Sequence, residues 1–556
     1  MNQAKAFANN DVVLLVWNYD NPIEGCLGFC IKRKNIKTNK EIILESMVGF
    51  EKESIKTRQF KSTNVWPIQK FNWRDFSATS SETYVYIIIP MVGTFKTLKE
   101  KNQLKVITNQ VTLSPGSGKI KAFFNRGILS TQYLSSQVPK SASGIPNYKI
   151  LLDRIKQTGD KLRNKLADEL KDALISLLDK AINEDGKCYC ALYELNDPEL
   201  IEKLLEAKDR VHLLLANTGS GDETNQVARA SLHDSGMEIT DLMYSSGHIG
   251  HNKFVIYVDS HGKPTSILSG STNWTYTGLC TQSNNAIIIH SEELAAHYMD
   301  YWKRLKEDNA EQGLTFRAEN NKERKVKIGK TEISLWFSPN TKAKNKTANS
   351  PKPDDIDKVF KAMNAAKKSI LFLAFQPGTP SIIEEAANVQ IAKPDLFIRG
   401  AATDLGAVET SNVTLFHRGI NEPVIVGAQE LKDDFAYWMA ELLKSSPSAH
   451  AIIHDKVMVI DAFTKDCVVI TGSHNLGYRA SYNNCENLLL LKGDEELATC
   501  YATHILDVYD HYRWRYFLSK NTQQGKKFEG LNKKPVWQNP YFNDKRGESI
   551  DKRFWL

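Results

Sequence analysis

Two short stretches hold residue types that could do chemistry together. The first is His251-Asn252-Lys253, which runs through Phe254 towards Gly270-Ser271-Thr272-Asn273. The second is His454-Asp455-Lys456, which runs through Val457 to Asp461 and on to Gly472-Ser473-His474-Asn475. Each reads HxK, a short apolar run, then GSxN. The histidines are 203 positions apart and the serines 202. On a β-strand, positions i and i+2 share a face, so each His projects with its Lys. Two His, two Lys and two Asn converging on one point suit a phosphodiester. The lysines neutralise its non-bridging oxygens, and Asn273 and Asn475 orient them. Fixed cations stabilise the developing charge, so no metal and no other cofactor is expected. A lone HxK on a strand is more often surface or structural; its duplication with GSxN at matched distance points to one composite site in a duplicated fold unit.

The copies differ at supporting positions. Glu486 lies 13 residues after Ser473, and Asn284 lies 13 after Ser271. The second half thus has a carboxylate where the first has an amide. Placed beside its own half's histidine, Glu486 would favour a protonated His454, suited to a general acid. Asn284 would orient a neutral His251, suited to a nucleophile.

HxKxxxxD followed by GSxN, present twice, resembles the signature of the phospholipase D superfamily over roughly residues 118 to 520. The resemblance implies two similar α/β lobes with the active site between them. It also implies a covalent phosphohistidine that is hydrolysed or transferred to an alcohol, with His251 attacking. The candidate catalytic residues are His251, Lys253, His454, Lys456 and Glu486. Asn273, Asn475, Ser271, Ser473, Asn284 and Asp461 are the phosphate-binding or supporting ones. Asp461 follows Lys456 by five residues, as the family pattern requires. Asp259 follows Lys253 by six, with Val258 in the expected place. One extra residue turns a strand side chain to the other face unless a bulge absorbs it, so Asp259 is not a candidate.

The namesake activity makes a phospholipid head group the first substrate. A nucleic-acid phosphodiesterase is the alternative, and a non-catalytic binding protein on this fold comes last, because both HxK pairs are intact.

The elements that must position these residues read as α/β, twice over. In the first half come a strand at Lys119–Phe124, a helix over Tyr148–Ile182, a strand at Lys187–Leu195, a helix at Pro198–Ala207 and a strand at Val211–Leu215. In the second come a strand at Glu332–Phe337, a polar loop over 340–353 expected to be mobile, a helix at Asp354–Lys367, strands at Ser369–Phe375 and Asp395–Arg399, and an amphipathic stretch at Glu430–Lys444. This gives lobes at about 117–321 and 331–520, with basic Lys322–Lys330 as the boundary.

Residues 1–116 alternate short strands and turns, with Trp17 early and Tyr84–Ile89 late, the latter stopped by Pro90. They resemble, weakly, a fibronectin type III or immunoglobulin-like sandwich, a module that positions or binds partners. The tail from Asn521 mixes Lys and Arg with Phe528, Trp537, Tyr541, Phe542, Phe554 and Trp555. It reads as a strap anchored by its rings, or alternatively as a stacking platform for single-stranded nucleic acid.

Composition excludes little else. The 556 residues are 41% hydrophobic and 25% charged, an ordinary globular balance, and the net charge of +7 permits an anionic partner without demanding one. No apolar run is long enough to span a bilayer, and no signal peptide is evident, so a cytoplasmic protein is expected. The eight cysteines are scattered and read as buried thiols. His474 inside the second GSxN and His417 are weaker candidates for substrate contact. His212 and Trp274 read as packing residues, and Gly219-Ser220-Gly221 as a loop near the site.

Overall fold

Phe254 to Val258 is apolar at every position and buried throughout, which requires cover on both faces of its sheet. The computed structural model describes residues 2–50, 59–127, 148–219, 221–403, 425–427, 453–523, 530–543 and 547–555. In it Lys253–Val258 lies at the centre of a seven-stranded mixed sheet. The order is Ile120–Phe124, Asn285–His290, Pro264–Gly270, Lys253–Val258, Lys187–Leu192, Val211–Ala216, Glu238–Leu242. The last three run parallel to one another and the other neighbours pair antiparallel.

The second half repeats this order: Thr331–Ser338, Glu486–Lys492, Val468–Gly472, Val457–Ile460, Ser369–Ala374, Phe397–Ala402, Ile425–Gly427. Each pairing keeps the sense of its counterpart. The duplication seen in the motifs is therefore a duplication of sheet topology. An eighth strand, Arg324–Ile328, adds to the edge beside Thr331–Ser338. The charge-rich segment read as a boundary is thus an edge strand. It buries Val326 and leaves its neighbours Lys325 and Lys327 exposed, the kind of charged edge that discourages pairing with other chains.

Helices cover the sheets where their apolar spacing requires it. Lys161–Asn183 buries Leu166, Leu170, Ala173, Leu174, Leu177 and Leu178. The continuous helix expected over Tyr148–Ile182 is two, Tyr148–Lys156 and Lys161–Asn183. Gly159 at φ +80° breaks the first, and the Asp160 carboxylate caps the second by accepting from Leu162 and Arg163 N–H. The loop after Thr331–Ser338 is tied down rather than loose: the buried Arg317 guanidinium donates to the carbonyls of Thr341, Ala343 and Lys344. The amphipathic stretch Glu430–Lys444 and His417 lie outside the described residues, as does Ser220. Among the described residues no helix is long and apolar enough to cross a membrane.

A separate compact unit joins the residues up to Pro115 with those from Arg513. It holds a three-stranded sheet, Gln3–Ala8, Val13–Asn18 and Asn72–Asp75, and a larger one built on Cys26–Asn35 and Thr83–Thr94. The strand expected to stop at Pro90 continues to Thr94. Pro90 faces Phe29 where the register shifts, so its missing N–H breaks no regular ladder. The tail completes this unit. Trp537 is buried against Phe29 and Phe71 and donates its indole N–H to the Cys26 carbonyl. All eight cysteines are buried and none forms a disulfide.

Candidate active site

Each HxK leads into its motif strand, which begins at Lys253 in the first half and at Val457 in the second. Lys253 Nζ donates to the carbonyl of His251 at 2.8 Å, and Lys456 Nζ to that of His454 at 2.7 Å. The residue between each pair points away and is held there: Asn252 donates to Tyr301 OH, and Asp455 pairs with His504. The two imidazoles face one another with ring centroids 6.4 Å apart. Each rests on an aromatic ring from the end of the adjacent strand, Tyr193 for His251 at 5.2 Å and Phe375 for His454 at 5.0 Å. The same rings lie under the lysines, Tyr193 with Lys253 and Phe375 with Lys456.

The expected pairing of Glu486 with His454 is wrong; the pairing is crossed. His251 Nδ1 lies 2.8 Å from Glu486 Oε1, and His454 Nδ1 lies 2.9 Å from Asn284 Oδ1. The cause is in the backbone. The segment before Glu486 bridges to the segment before His251, Asn484 with Ile249, and Cys485 N–H donates to the Ile249 carbonyl. The segment before Asn284 does the same for the other half: Ser283 bridges Ile453, and His454 N–H donates to the Ser283 carbonyl. Each lobe thus hands its supporting residue to the other lobe's histidine. Asn284 donates its own Nδ2 to the Gly278 carbonyl, so its oxygen faces His454, and His454 carries its proton on Nδ1. A carboxylate beside His251 favours the same tautomer there. Both Nε2 atoms are left for chemistry.

Glycine and serine of GSxN build this crossing. A Cβ on Gly270 would strike the Asn285 carbonyl, and one on Gly472 the Asn487 carbonyl; both glycines also have positive φ, at +145° and +131°. Ser271 donates to Asn284 Oδ1 and accepts from Asn285 N–H, and Ser473 accepts from Asn487 N–H. The serines are supports and are already engaged. Asp461 accepts from the N–H groups of Lys367, Lys368 and Ser369, pinning the start of the strand Ser369–Ala374, so it supports the lobe away from the histidines. Asp259 is partly exposed and accepts from His261 and Lys263 N–H in its own turn. His474 is buried and held by Leu476 N–H and Ser481. His212 pairs with Glu238, and Trp274 is fully buried.

Burial sets the charges. It depresses His251 to about 3, helped by Lys253 and opposed by Glu486. It pushes His454 well below its ordinary value, helped by Lys456, Lys253 and His251. Both imidazoles are therefore neutral in the free protein. Lys253 is also pushed far down, by burial and Lys456, and burial brings Lys456 to about 7. Burial opposes the charge of Glu486, but His251, His474 and Asn484 outweigh it and hold the carboxyl at about 2.

Sequence reading missed Glu194. Its carboxylate accepts from Asn273 Nδ2, and burial raises it to about 7 against the pull of Lys253, Asn273 and Lys456. The available signal was positional. Tyr193-Glu194 and Phe375-Gln376 each follow the strand that pairs with the motif strand, Leu192 opposite Lys253 and Leu373 opposite Val457.

The model of the family described as "Cardiolipin synthase, PLD-like domain" matches residues 174–306 and 423–507, a span that takes in both HxK and GSxN motifs. The chain belongs to the phospholipase D superfamily. Among solved structures it is similar to a phosphatidylserine synthase of Haemophilus influenzae, at 11% identity over 65% of this chain and 92% of that one, with a TM-score of 0.40. It is also similar to the phospholipase D family member Nuc of Salmonella typhimurium, at 20% identity over 24% and 84%, TM-score 0.21. A third is yeast tyrosyl-DNA phosphodiesterase, at 11% identity over 58% and 88%, TM-score 0.30. No curated protein matches the sequence. In this phospholipase D superfamily member the site lies within one chain, each half completed by the other.

Proposed function

We propose that the protein is a phosphodiesterase of the phospholipase D type that hydrolyses a phospholipid at its head-group phosphodiester. The observation behind this reading is the crossed pair of supported imidazoles facing each other beside two buried lysines. Nε2 of His251 attacks phosphorus, forming a P–N bond as the P–O bond to the leaving group breaks. The imidazole becomes cationic, and Glu486 sits where that charge appears. His454 protonates the leaving oxygen through Nε2, then takes a proton from water as that water attacks phosphorus and releases His251. For the first step His454 needs a second proton, which the arriving phosphate anion favours. Asn284 keeps Nδ1 protonated and the ring aimed. Lys253 and Lys456 hold the non-bridging oxygens, and no metal takes part in these steps.

The lipid is favoured over nucleic acid on two grounds: the description of the matching family model, and the inward turn of Trp537, which removes a ring of the tail from any stacking surface. The test is an assay in EDTA offering mixed phospholipid vesicles, DNA and RNA in parallel, with His251→Ala and His454→Ala as controls. Head-group release by the wild type alone supports the proposal. Cleavage of DNA or RNA but not vesicles, falling steeply with salt, would instead identify a nuclease.

A further inference from the structure

Glu194 has no place in the steps above, yet it is held at the phosphate-binding donors. Its carboxylate engages Nδ2 of Asn273, the GSxN asparagine expected to orient phosphate oxygens. Asn273 is 3% exposed and its Oδ1 is buried with no hydrogen-bond partner. Glu194 also lies within Coulombic reach of both Lys253 and Lys456. A carboxylate accepting from that amide beside those cations stands where a phosphate oxygen would. The arrangement is one-sided. The position matching Glu194 in the other half is Gln376, neutral and exposed.

We propose that Glu194 is the specificity-determining residue that restricts this site to phosphate groups bearing a single negative charge. This rests on the phosphodiester reading and deepens it. The ionisable groups facing the site are the two lysines, which an arriving anion holds protonated against burial, Glu194, which those lysines hold ionised against burial, and Glu486 behind His251; His454 is backed by the neutral Asn284, and Tyr193 lines the wall. A diester is a monoanion and meets the two lysines at the cost of one unit of repulsion from Glu194. A monoester near neutrality carries close to two charges, since its second pKa is about 6, and meets that repulsion twice over. Glu194 therefore excludes monoesters from entry and hastens departure of the monoester that hydrolysis leaves behind.

Calorimetric titration of the full chain with sulfate and with diethyl phosphate tests this without turnover. Sulfate is a tetrahedral dianion and diethyl phosphate a tetrahedral monoanion at every pH used. Glu194→Gln keeps an acceptor for Asn273 and removes only the charge. The expected result is sulfate binding tightened by about tenfold more than diethyl phosphate binding. Glu194→Ala is expected to show the same selective gain and serves if the Gln variant does not fold. Equal changes for the two anions, or weaker binding of both, would overturn the proposal and leave Glu194 as a positioning residue for Asn273. If no variant binds either anion, the phosphate-site reading fails as well.

Discussion

The two halves of the site differ in what stands behind each histidine. His251 has a carboxylate, Glu486, held ionised in a buried setting. His454 has an amide, Asn284, locked by Ser271 and the Gly278 carbonyl. An amide fixes a ring and a tautomer but does not compensate a full positive charge. A carboxylate does both. On the proposed mechanism the half that carries a covalently bound, cationic imidazole is the one with the carboxylate, and the half that gives up a proton is the one without. The same sheet topology thus provides two roles, and the difference lies in two residues at equivalent positions.

The comparison breaks most sharply at the histidines. His251→Ala should abolish turnover of every diester. His454→Ala should lose about 10²–10⁴-fold with an alkoxide leaving group but far less with p-nitrophenolate, which needs no proton; stopped-flow assays with both leaving groups would show it. A similar loss for both esters would remove His454 from the acid role.

The supporting residues give a smaller effect. Glu486→Gln should lower kcat by roughly 10-fold or more, because a neutral amide replaces the charge facing cationic His251. Asn284→Asp, which makes the halves alike, should raise the His454 pKa and move the pH profile of kcat/KM to higher pH.

The pH profile of the wild type follows from the same charges. Lys456 sits near 7, its pKa lowered by burial. Above that pH the free protein loses a cation of the proposed phosphate site, and His454, held well below its ordinary value by burial, is hard to protonate. kcat/KM for a diester is therefore expected to fall as pH rises from 6 to 8, with KM taking much of the change.

The smallest effects compare the two aspartates and the two glycines. Gly270→Ala and Gly472→Ala should each destabilise by about 1–3 kcal/mol, since the new Cβ meets a carbonyl in a positive-φ conformation. Asp461→Ala should cost about 1–3 kcal/mol through three N–H groups left without their acceptor. Asp259→Ala should leave the melting temperature unchanged, as its partners lie in an exposed turn.

Much of this was legible in the chain. Period-two alternation put His and Lys on one face, and the repeated GSxN required two equivalent lobes. Asp259 was doubted on a one-residue register argument, and it accepts only within its own turn. The crossing was not legible. Glu486 and Asn284 occupy equivalent positions in their own halves, and local spacing placed each beside its own histidine. The backbone bridges from Ile249 to Asn484 and from Ser283 to Ile453 join segments more than 150 residues apart, which no local pattern records. Glu194 was missed for a related reason: it is brought to Asn273 by strand pairing, 79 residues away in sequence. Pro90 and the Lys322–Lys330 segment misled because a proline or a charge run forbids a central strand but is tolerated at a bulge or an edge.

The most direct test of the division of roles is to trap the covalent intermediate. The protein would be acid-free denatured within the first turnover on a p-nitrophenyl diester and the phosphorylated residue mapped by mass spectrometry. The carboxylate-backed half predicts the modification on His251, accumulating further in His454→Ala. Modification on His454 in the wild type would contradict the assignment and reverse the roles of the two halves.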